Sequence, residues 1–590
     1  MIEHDTKSAV SDKVTGLSLR FTEATNRMIE SPVKSASCET IASPSPESTA
    51  SRWLAWALLG CSLAVVLYVR LRLLGSPLER DEGEYAYAGQ LILGGIPPYK
   101  LVYNMKMPGI YLAYAGILAV FGQTPACIHL GLLVVHLASL LLIFLIAKRF
   151  FGLSGGALAV SAYAVMTLSP VMYGLSAHAT HFVVLPALLG IWLLLCFEKS
   201  RRLRDSFASG CCFGIAFLMK QPGAFFGVFG GLYLGWLCLQ EKSTNTSQGP
   251  PRRRTDPVQQ LGAFAAGCVL PFLAVCTWLK IAGVFPQFWF WTTSYGREYA
   301  STLTLSQGWQ NARAALLSLF QAAPVLWIVA ALGLALLCAV RMELNRRIFL
   351  AGLFVFSFLA VCPGYHFREH YFILLMPAVA LLIGFAVWWS EGWLKPYPWL
   401  RLLPLILGVL ACAESLRADH EVLFSLSTIQ ASRAVYQGFF PESLDIGRYI
   451  EQNTQPNERV AVIGSEPQIY FYAHRRSSTG YIYMYPLMEP QRFAEQMQVE
   501  MIREIEQNPP AYLVFVSHPL SWLARPESSP LLGDFVGDYI AKNMQLAGLV
   551  QFTGPETTET VWGHEAATTP LRSPLYILIF KRTRDRDSRQ

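Results

Sequence analysis

Between Pro77 and Gly109 the chain places Asp81, Glu82, Glu84, Lys100 and Lys106 among Tyr85, Tyr87, Tyr99, Tyr103 and two proline-centred turns. A partly desolvated carboxylate next to a like charge has the environment to act as a general base, or to hold a divalent cation. Asp81 and Glu82 are that pair, and they are the candidate catalytic residues. Lys106 stands in M-K-M-P-G, where an ammonium can clamp a phosphate or snorkel at a membrane surface. Lys220, in M-K-Q-P-G, is a lone cation in a short turn between apolar runs and calls for an anionic partner. His178 and His181 lie i, i+3 at the start of another apolar run. Two imidazoles fall short of a metal site, so contact with a substrate is their better use. Tyr295 and Arg297 follow the aromatic run Phe288–Trp291, and His366, Arg368, His370 and Tyr371 cluster in the same way. Aromatic faces with interleaved polar groups, Tyr85 among them, suit sugar rings, and Arg368 suits bidentate phosphate contact.

The elements that carry these residues are mostly apolar. Of 590 residues, 53% are hydrophobic and 15% charged, with a mean hydropathy of +0.35. Apolar runs recur at roughly the 17–25 residues that cross a bilayer as helix. Eleven spans are expected: 53–74, 126–146, 155–175, 182–197, 207–219, 223–239, 258–281, 314–340, 348–361, 372–389 and 399–412. Residues 108–121 are read as a surface helix. This assignment gathers Lys148/Arg149, Lys199/Arg201/Arg202/Arg204, Arg252/Arg253/Arg254, Arg341/Arg346/Arg347 and Lys395 on one side, the cytoplasmic one by the positive-inside tendency. The loops bearing the candidate site residues then share the other side. The formal charge of +7 follows from that bias and calls for no nucleic acid.

Residues 1–52, rich in Ser, Thr and Glu and without an apolar core, read as a disordered cytoplasmic leader and not a signal peptide. Residues 53–415 form the membrane domain, with 76–125 as its first outer loop. From 416 to 590 the pattern changes to β-rich runs at 458–465, 511–518 and 574–580 alternating with helical stretches. That is a small extracytoplasmic α/β domain. The twelve cysteines end at Cys412 and show no zinc-like spacing. No P-loop, GxGxxG or GxSxG is present, which leaves nucleotide-driven chemistry without support.

D-E-G-E-Y-A-Y-A-G-Q-L-I-L-G-G-I-P-P-Y followed by K-M-P-G-I-Y resembles the first outer loop of the GT-C glycosyltransferases. Within them it is most similar to glycosyltransferase family 39, the protein-O-mannosyltransferase and aminoarabinose-transferase group. F-L-M-K-Q-P-G, F-W-F-W-T-T-S-Y-G-R-E-Y and H-Y-F-I-L-L-M-P-A-V-A-L-L-I-G resemble later segments of that group. The resemblance covers about 53–415 and implies sugar transfer from a polyprenyl-phosphate carrier to a protein, lipid or cell-envelope glycan on the outer face, with inversion. It implies Asp81 as base or acceptor-orienting group, and Lys106 and Lys220 on the carrier phosphate. Glu84, Met105 and Ser294 stand where aminoarabinose transferases have Arg, Glu and His, and the His-Pro-Pro element of eukaryotic mannosyltransferases is missing. The resemblance therefore names a family and not a sugar or an acceptor.

The expected protein is a multi-pass membrane glycosyltransferase of a bacterial inner membrane. Its only firm co-substrate is the lipid-linked sugar donor; a divalent cation at Asp81/Glu82 is an open option. A transporter or flippase of a lipid-linked saccharide is the rival, but it would concentrate ionisable groups near mid-membrane and tends to show paired repeats.

Overall fold

The computed structural model describes residues 49–244, 256–554 and 557–583. Most of the expected leader and the Arg252–Arg254 cluster lie outside the described residues. The described chain other than Arg341–Glu343 forms one compact unit.

Thr49–Arg72 is helix α1, Arg80–Leu93 α2, Pro108–Phe121 α3 and Pro125–Leu168 α4. A straight helix of 44 residues would be about 66 Å long, more than twice the apolar thickness of a bilayer of about 30 Å. The chain turns instead at Gly152, whose φ of 73° and ψ of −166° suit a residue without Cβ. His136 Nε2 and Thr167 Oγ1, 3.0 Å apart, show the two arms side by side. The spans expected at 126–146 and 155–175 are the arms of this hairpin. Ser51 and Ser62 of α1 bond Ser154 and Ser161, each pair at 2.7 Å, so α1 runs alongside the second arm.

Helices α5 (Ala179–Ser200), α6 (Leu203–Met219), α7 (Ala224–Thr244) and α8 (Pro257–Ile281) follow. Arg149 pairs with Glu198 at 2.7 Å, at the end of the bundle opposite to His178 and Lys220. Apolar side chains of α8 such as Val258, Val269, Leu270 and Leu273 are exposed, as on a face turned to lipid. Among the described residues five helices are long and apolar enough to cross a membrane, or six when a bent pair is counted as one span. That pair, α9 (Leu305–Ala322) and α10 (Pro324–Ala339), corrects the single span expected at 314–340: the axes meet at 111°. The break falls at Ala323 (φ −150°, ψ 59°), because a proline follows and disfavours helix in the residue before it. Shorter helices α11 (Leu344–Leu359), α12 (Met376–Trp393) and α13 (Leu403–Ala418) complete the bundle. The last runs past the expected boundary at 415/416.

The remaining chain forms a six-stranded sheet in the order β2-β1-β3-β6-β4-β5. The strands are β1 (Arg459–Ile463), β2 (Arg476–Ser477), β3 (Tyr512–Ser517), β4 (Met544–Phe552), β5 (Thr558–Trp562) and β6 (Tyr576–Arg582). β1 is parallel to β2 and β3, while β6 lies antiparallel between β3 and β4. The three expected runs are β1, β3 and β6. β4 and β5 escape the sequence reading because their apolar residues are interrupted by Gln545, Gln551, Thr558 and Glu559.

This sheet domain is built onto the first loop. Tyr103 N donates to Gly480 O at 2.8 Å, and Leu78 N to the Tyr472 hydroxyl at 2.8 Å. Tyr87 stacks on Tyr470 and its hydroxyl bonds Ser477. A Cβ on Gly83 would come within 2.6 Å of the backbone nitrogen of Gln468, so α2 and the domain touch backbone to backbone. One apolar cluster runs from Leu78 through Tyr85 and Tyr111 to Ile463, Val514 and Ile579.

Candidate active site

Helix α2 begins with a reciprocal cap. The Glu79 carboxylate accepts from Glu82 N at 2.9 Å, and the Glu82 carboxylate accepts from Glu79 N at 3.2 Å. Such a box fixes the entry of the helix, and with it Asp81. Glu82 Oε1 also receives Ala177 N at 2.6 Å and lies 3.1 Å from His129 Nε2. With 1% of its surface exposed, Glu82 has no side open to a substrate. This corrects its expected place beside Asp81 as a catalytic or cation-holding group: the carboxylate of residue 82 points into the protein and ties α2 to α4 and to the 176–178 turn.

Asp81 faces the other way. Its Oδ2 lies 3.0 Å from Lys106 Nζ, and Oδ1 accepts from the Tyr483 hydroxyl at 3.2 Å. Lys106 also donates to the Tyr85 hydroxyl at 3.2 Å, and Tyr85 is buried under the pair. Burial alone would raise the Asp81 pKa; the charge of Lys106, reinforced by its hydrogen bond and by His178 and His370, holds it well below the usual carboxylate range. Glu84, one turn on, is enclosed. It accepts from Asn104 at 2.9 Å and Tyr111 at 2.5 Å, and burial pushes it up to about 7.

Two cavities meet at Asp81. The smaller, about 50 Å³, is lined by Lys106, Tyr295, Tyr299, Arg368, Tyr371 and Tyr483 among others. The larger, about 390 Å³, is lined by His178, Tyr173, Arg80, Tyr436 and Phe440 among others. Asp81, Arg368, His370 and Tyr485 belong to both. Lys220 closes the group: its Nζ lies 3.8 Å over the Tyr371 ring. It has no ion-pair or hydrogen-bond partner among the described residues, and burial and the repulsion of Lys106 depress its pKa well below the usual range.

His178 and His370 stack face to face at 4.3 Å. With Asp81 they are the one group among the described residues with three ligand atoms within 4.8 Å of one another. A two-imidazole, one-carboxylate set has the chemistry for a borderline divalent ion, and it replaces the Asp81/Glu82 pair expected for that role. Lys106 competes for the same Asp81 oxygen.

Three expected residues are not part of this assembly. His181 packs inward, its ring 6.2 Å from that of His136, and lines neither cavity. His178 is the extended N-cap of α5 and His181 lies in its first turn, so the i, i+3 spacing does not bring the two together. Arg297 is exposed and lines neither cavity. His366 stacks on Tyr299 at 4.5 Å and supports that wall from behind. Residues the sequence reading left out are Tyr173, Tyr436, Tyr483, Tyr485 and Glu489. The cluster Y-I-Y-M-Y at 481–485 was a visible signal, since aromatics with hydroxyls so close together are uncommon in a plain strand–helix connection.

Residues 106–248 match the family model described as dolichyl-phosphate-mannose-protein mannosyltransferase. Among solved structures, ArnT from Cupriavidus metallidurans in the apo state aligns with a TM-score of 0.53 at 15% identity, covering 90% of this chain and 98% of that one. The same protein bound to undecaprenyl phosphate aligns with a TM-score of 0.52, at the same identity and coverage. The Archaeoglobus fulgidus oligosaccharyltransferase tethered to an acceptor peptide aligns at 0.49, with 12% identity over 89% of this chain and 76% of that one. No curated protein matches by sequence.

Proposed function

We propose that this chain, an integral membrane protein with the GT-C glycosyltransferase fold and the marks of the protein-mannosyltransferase and aminoarabinose-transferase group, transfers a sugar from a polyprenyl-phosphate carrier to a hydroxyl-bearing acceptor. The observation that carries this reading is the meeting of one carboxylate, Asp81, with three cations, Lys106, Lys220 and Arg368, two of which have no anionic partner among the described residues. Cations held without counter-ions in a cleft are a site for an anion that arrives with the substrate. The solved neighbour with undecaprenyl phosphate supports a lipid phosphate as that anion.

The reaction is a single displacement at the anomeric carbon. The acceptor oxygen attacks as its proton passes to Asp81, a new C–O bond forms, and the bond to the phosphate oxygen breaks. The electron pair leaves with polyprenyl phosphate, and the anomeric configuration inverts. Lys106, Lys220 and Arg368 neutralise the charge that grows on the leaving group, the kind of stabilisation that carries most of the rate in such steps. Phosphate needs no strong general acid. When the donor phosphate draws the Lys106 ammonium toward it, Asp81 loses its counter-ion and becomes a better proton acceptor. The site lies on the outer face of a bacterial inner membrane in this reading. A divalent cation at Asp81, His178 and His370 would add positive charge beside the acceptor oxygen.

The test is transfer from a radiolabelled polyprenyl-phosphate sugar by the purified full-length protein, wild type beside Asp81→Asn. Transfer by the wild type, reduced about 10²-fold or more in the variant, is expected for loss of a general base. Equal transfer by both would remove Asp81 from the chemistry.

A further inference from the structure

The larger cavity has features that a lipid phosphate does not use. His178 is 4% exposed, and both of its ring nitrogens are buried without a hydrogen-bond partner. Its Nδ1 lies 3.7 Å from Glu79 Oε1 and 3.9 Å from Asp81 Oδ2, beyond hydrogen-bond reach, so the ring has both nitrogens to offer a ligand. His370, also buried and stacked on it at 4.3 Å, makes no side-chain hydrogen bond among the described residues; the Gln437 amide, which is exposed, lines the same space. These groups, with Arg368, surround one space of about 390 Å³, within the usual size of a small-ligand site of about 300–1,000 Å³. Buried polar groups are normally satisfied, and those that are not await a ligand or water.

The wall opposite the histidines comes from the C-terminal domain. Tyr436 stacks on Tyr173 at 5.4 Å, its hydroxyl bonds Ser176, and Gln437 and Phe440 follow it along the cavity. The domain therefore does more than cap the bundle: its 435–440 segment forms part of the wall of the chamber next to the base.

We infer that this chamber binds the acceptor as a saccharide unit, whose hydroxyls satisfy His178, His370 and Gln437 while one of them faces Asp81, and that the 435–440 segment selects it. This rests on the transferase reading above. A serine or threonine side chain would bring a single hydroxyl, which the base alone would engage, leaving the buried imidazoles unmade. A pyranose brings several hydroxyls around a rim and an apolar face, which suits the aromatic part of the lining formed by Tyr173, Tyr436 and Phe440. An apolar tail finds no continuous apolar lining here.

Saturation-transfer NMR on the full-length protein in detergent tests this with methyl hexopyranosides, methyl pentopyranosides and N-acetylthreonine methylamide as probes. Binding of polyprenyl phosphate is read separately on the same samples. At least one glycoside is expected to bind. Its affinity is expected to fall about tenfold in His178→Phe, which keeps a stacking ring but no nitrogen, and several-fold in Gln437→Ala. Polyprenyl-phosphate affinity should stay the same in both. Binding of the threonine amide in place of glycosides would overturn the saccharide assignment, as would binding of none of the probes or glycoside affinity unmoved by both substitutions. Failure of the wild type to bind polyprenyl phosphate would instead count against the transferase reading itself.

Discussion

The Lys106 ammonium and the Asp81 carboxylate lie 3.0 Å apart, each with only about a fifth of its side chain exposed. The residue that best suits a phosphate clamp is thus, without substrate, the counter-ion of the residue that best suits a base. In the proposed reaction, donor and acceptor chemistry are coupled through this one contact.

The coupling sets a pH dependence. Lys106 lowers the Asp81 pKa, so the carboxylate stays ionised down to a pH below the ordinary Asp value of about 3.9. Lys106→Met removes the largest charge that opposes the burial penalty, and the pKa rises. The acid limb of the transfer rate should then move up by about one pH unit or more, whatever the loss in absolute rate. Superimposable acid limbs in the two proteins would show that Lys106 does not govern Asp81.

Lys220 should behave as a cation kept for a ligand. Its ammonium is desolvated without an anionic partner among the described residues, a state that destabilises the empty protein. Lys220→Met is expected to raise the unfolding temperature of the substrate-free protein. The same variant should lose about 1.5–3 kcal/mol of polyprenyl-phosphate affinity, the usual value of a charged hydrogen bond. A variant that unfolds earlier and still binds the phosphate would assign Lys220 to structure.

Glu82 should act on stability and not on chemistry. It receives Glu79 N and Ala177 N and meets His129. Glu82→Ala leaves these groups buried and unmade, at a cost of about 3–5 kcal/mol. Glu82→Gln retains part of the cap and should unfold earlier by a smaller margin, with turnover per folded molecule close to wild type. Turnover falling as far as in Asp81→Asn, at an unchanged unfolding temperature, would reverse the assignment.

Glu84 gives stability a pH signature. Its folded pKa of about 7 is above the unfolded value of about 4.3, so its contribution is complete at low pH and is lost as pH rises through the folded value. Between about pH 4.5 and 7 this amounts to about 3 kcal/mol at 1.36 kcal/mol per unit. Thermal unfolding of the wild type and Glu84→Gln should diverge across that window, the glutamine form losing less as pH rises. Parallel curves would mean that Asn104 and Tyr111 hold the ionised form.

Much of this arrangement was legible in the residues themselves. Apolar runs of bilayer length and the clustering of Lys and Arg between alternate runs give the helical bundle and its two ends, because lipid tolerates little else. The 108–121 helix has the bounds its Pro108 and Gly122 imply. Asp81, Lys106, Lys220 and Arg368 stood out as charges in apolar company; Asp81, Lys106 and Arg368 line the same cleft, and Lys220 lies against the Tyr371 ring of its wall. Such charges carry a desolvation cost that composition alone exposes.

What only the tertiary structure decided is which way each side chain turns. Asp81 and Glu82 are neighbours in sequence, yet the Glu79–Glu82 cap sends one to the cleft and the other into the core. A helix turn of 100° per residue separates adjacent side chains, and no local pattern says which of them meets a cavity. His178 and His181 part for a similar reason, since the chain enters α5 between them. The Tyr436, Tyr483 and Tyr485 walls come from residues hundreds of positions away, brought to Asp81 by the docking of the sheet domain on α2. That docking depends on long-range packing such as Gly83 against Gln468, and sequence periodicity records only which residues are buried, not against what.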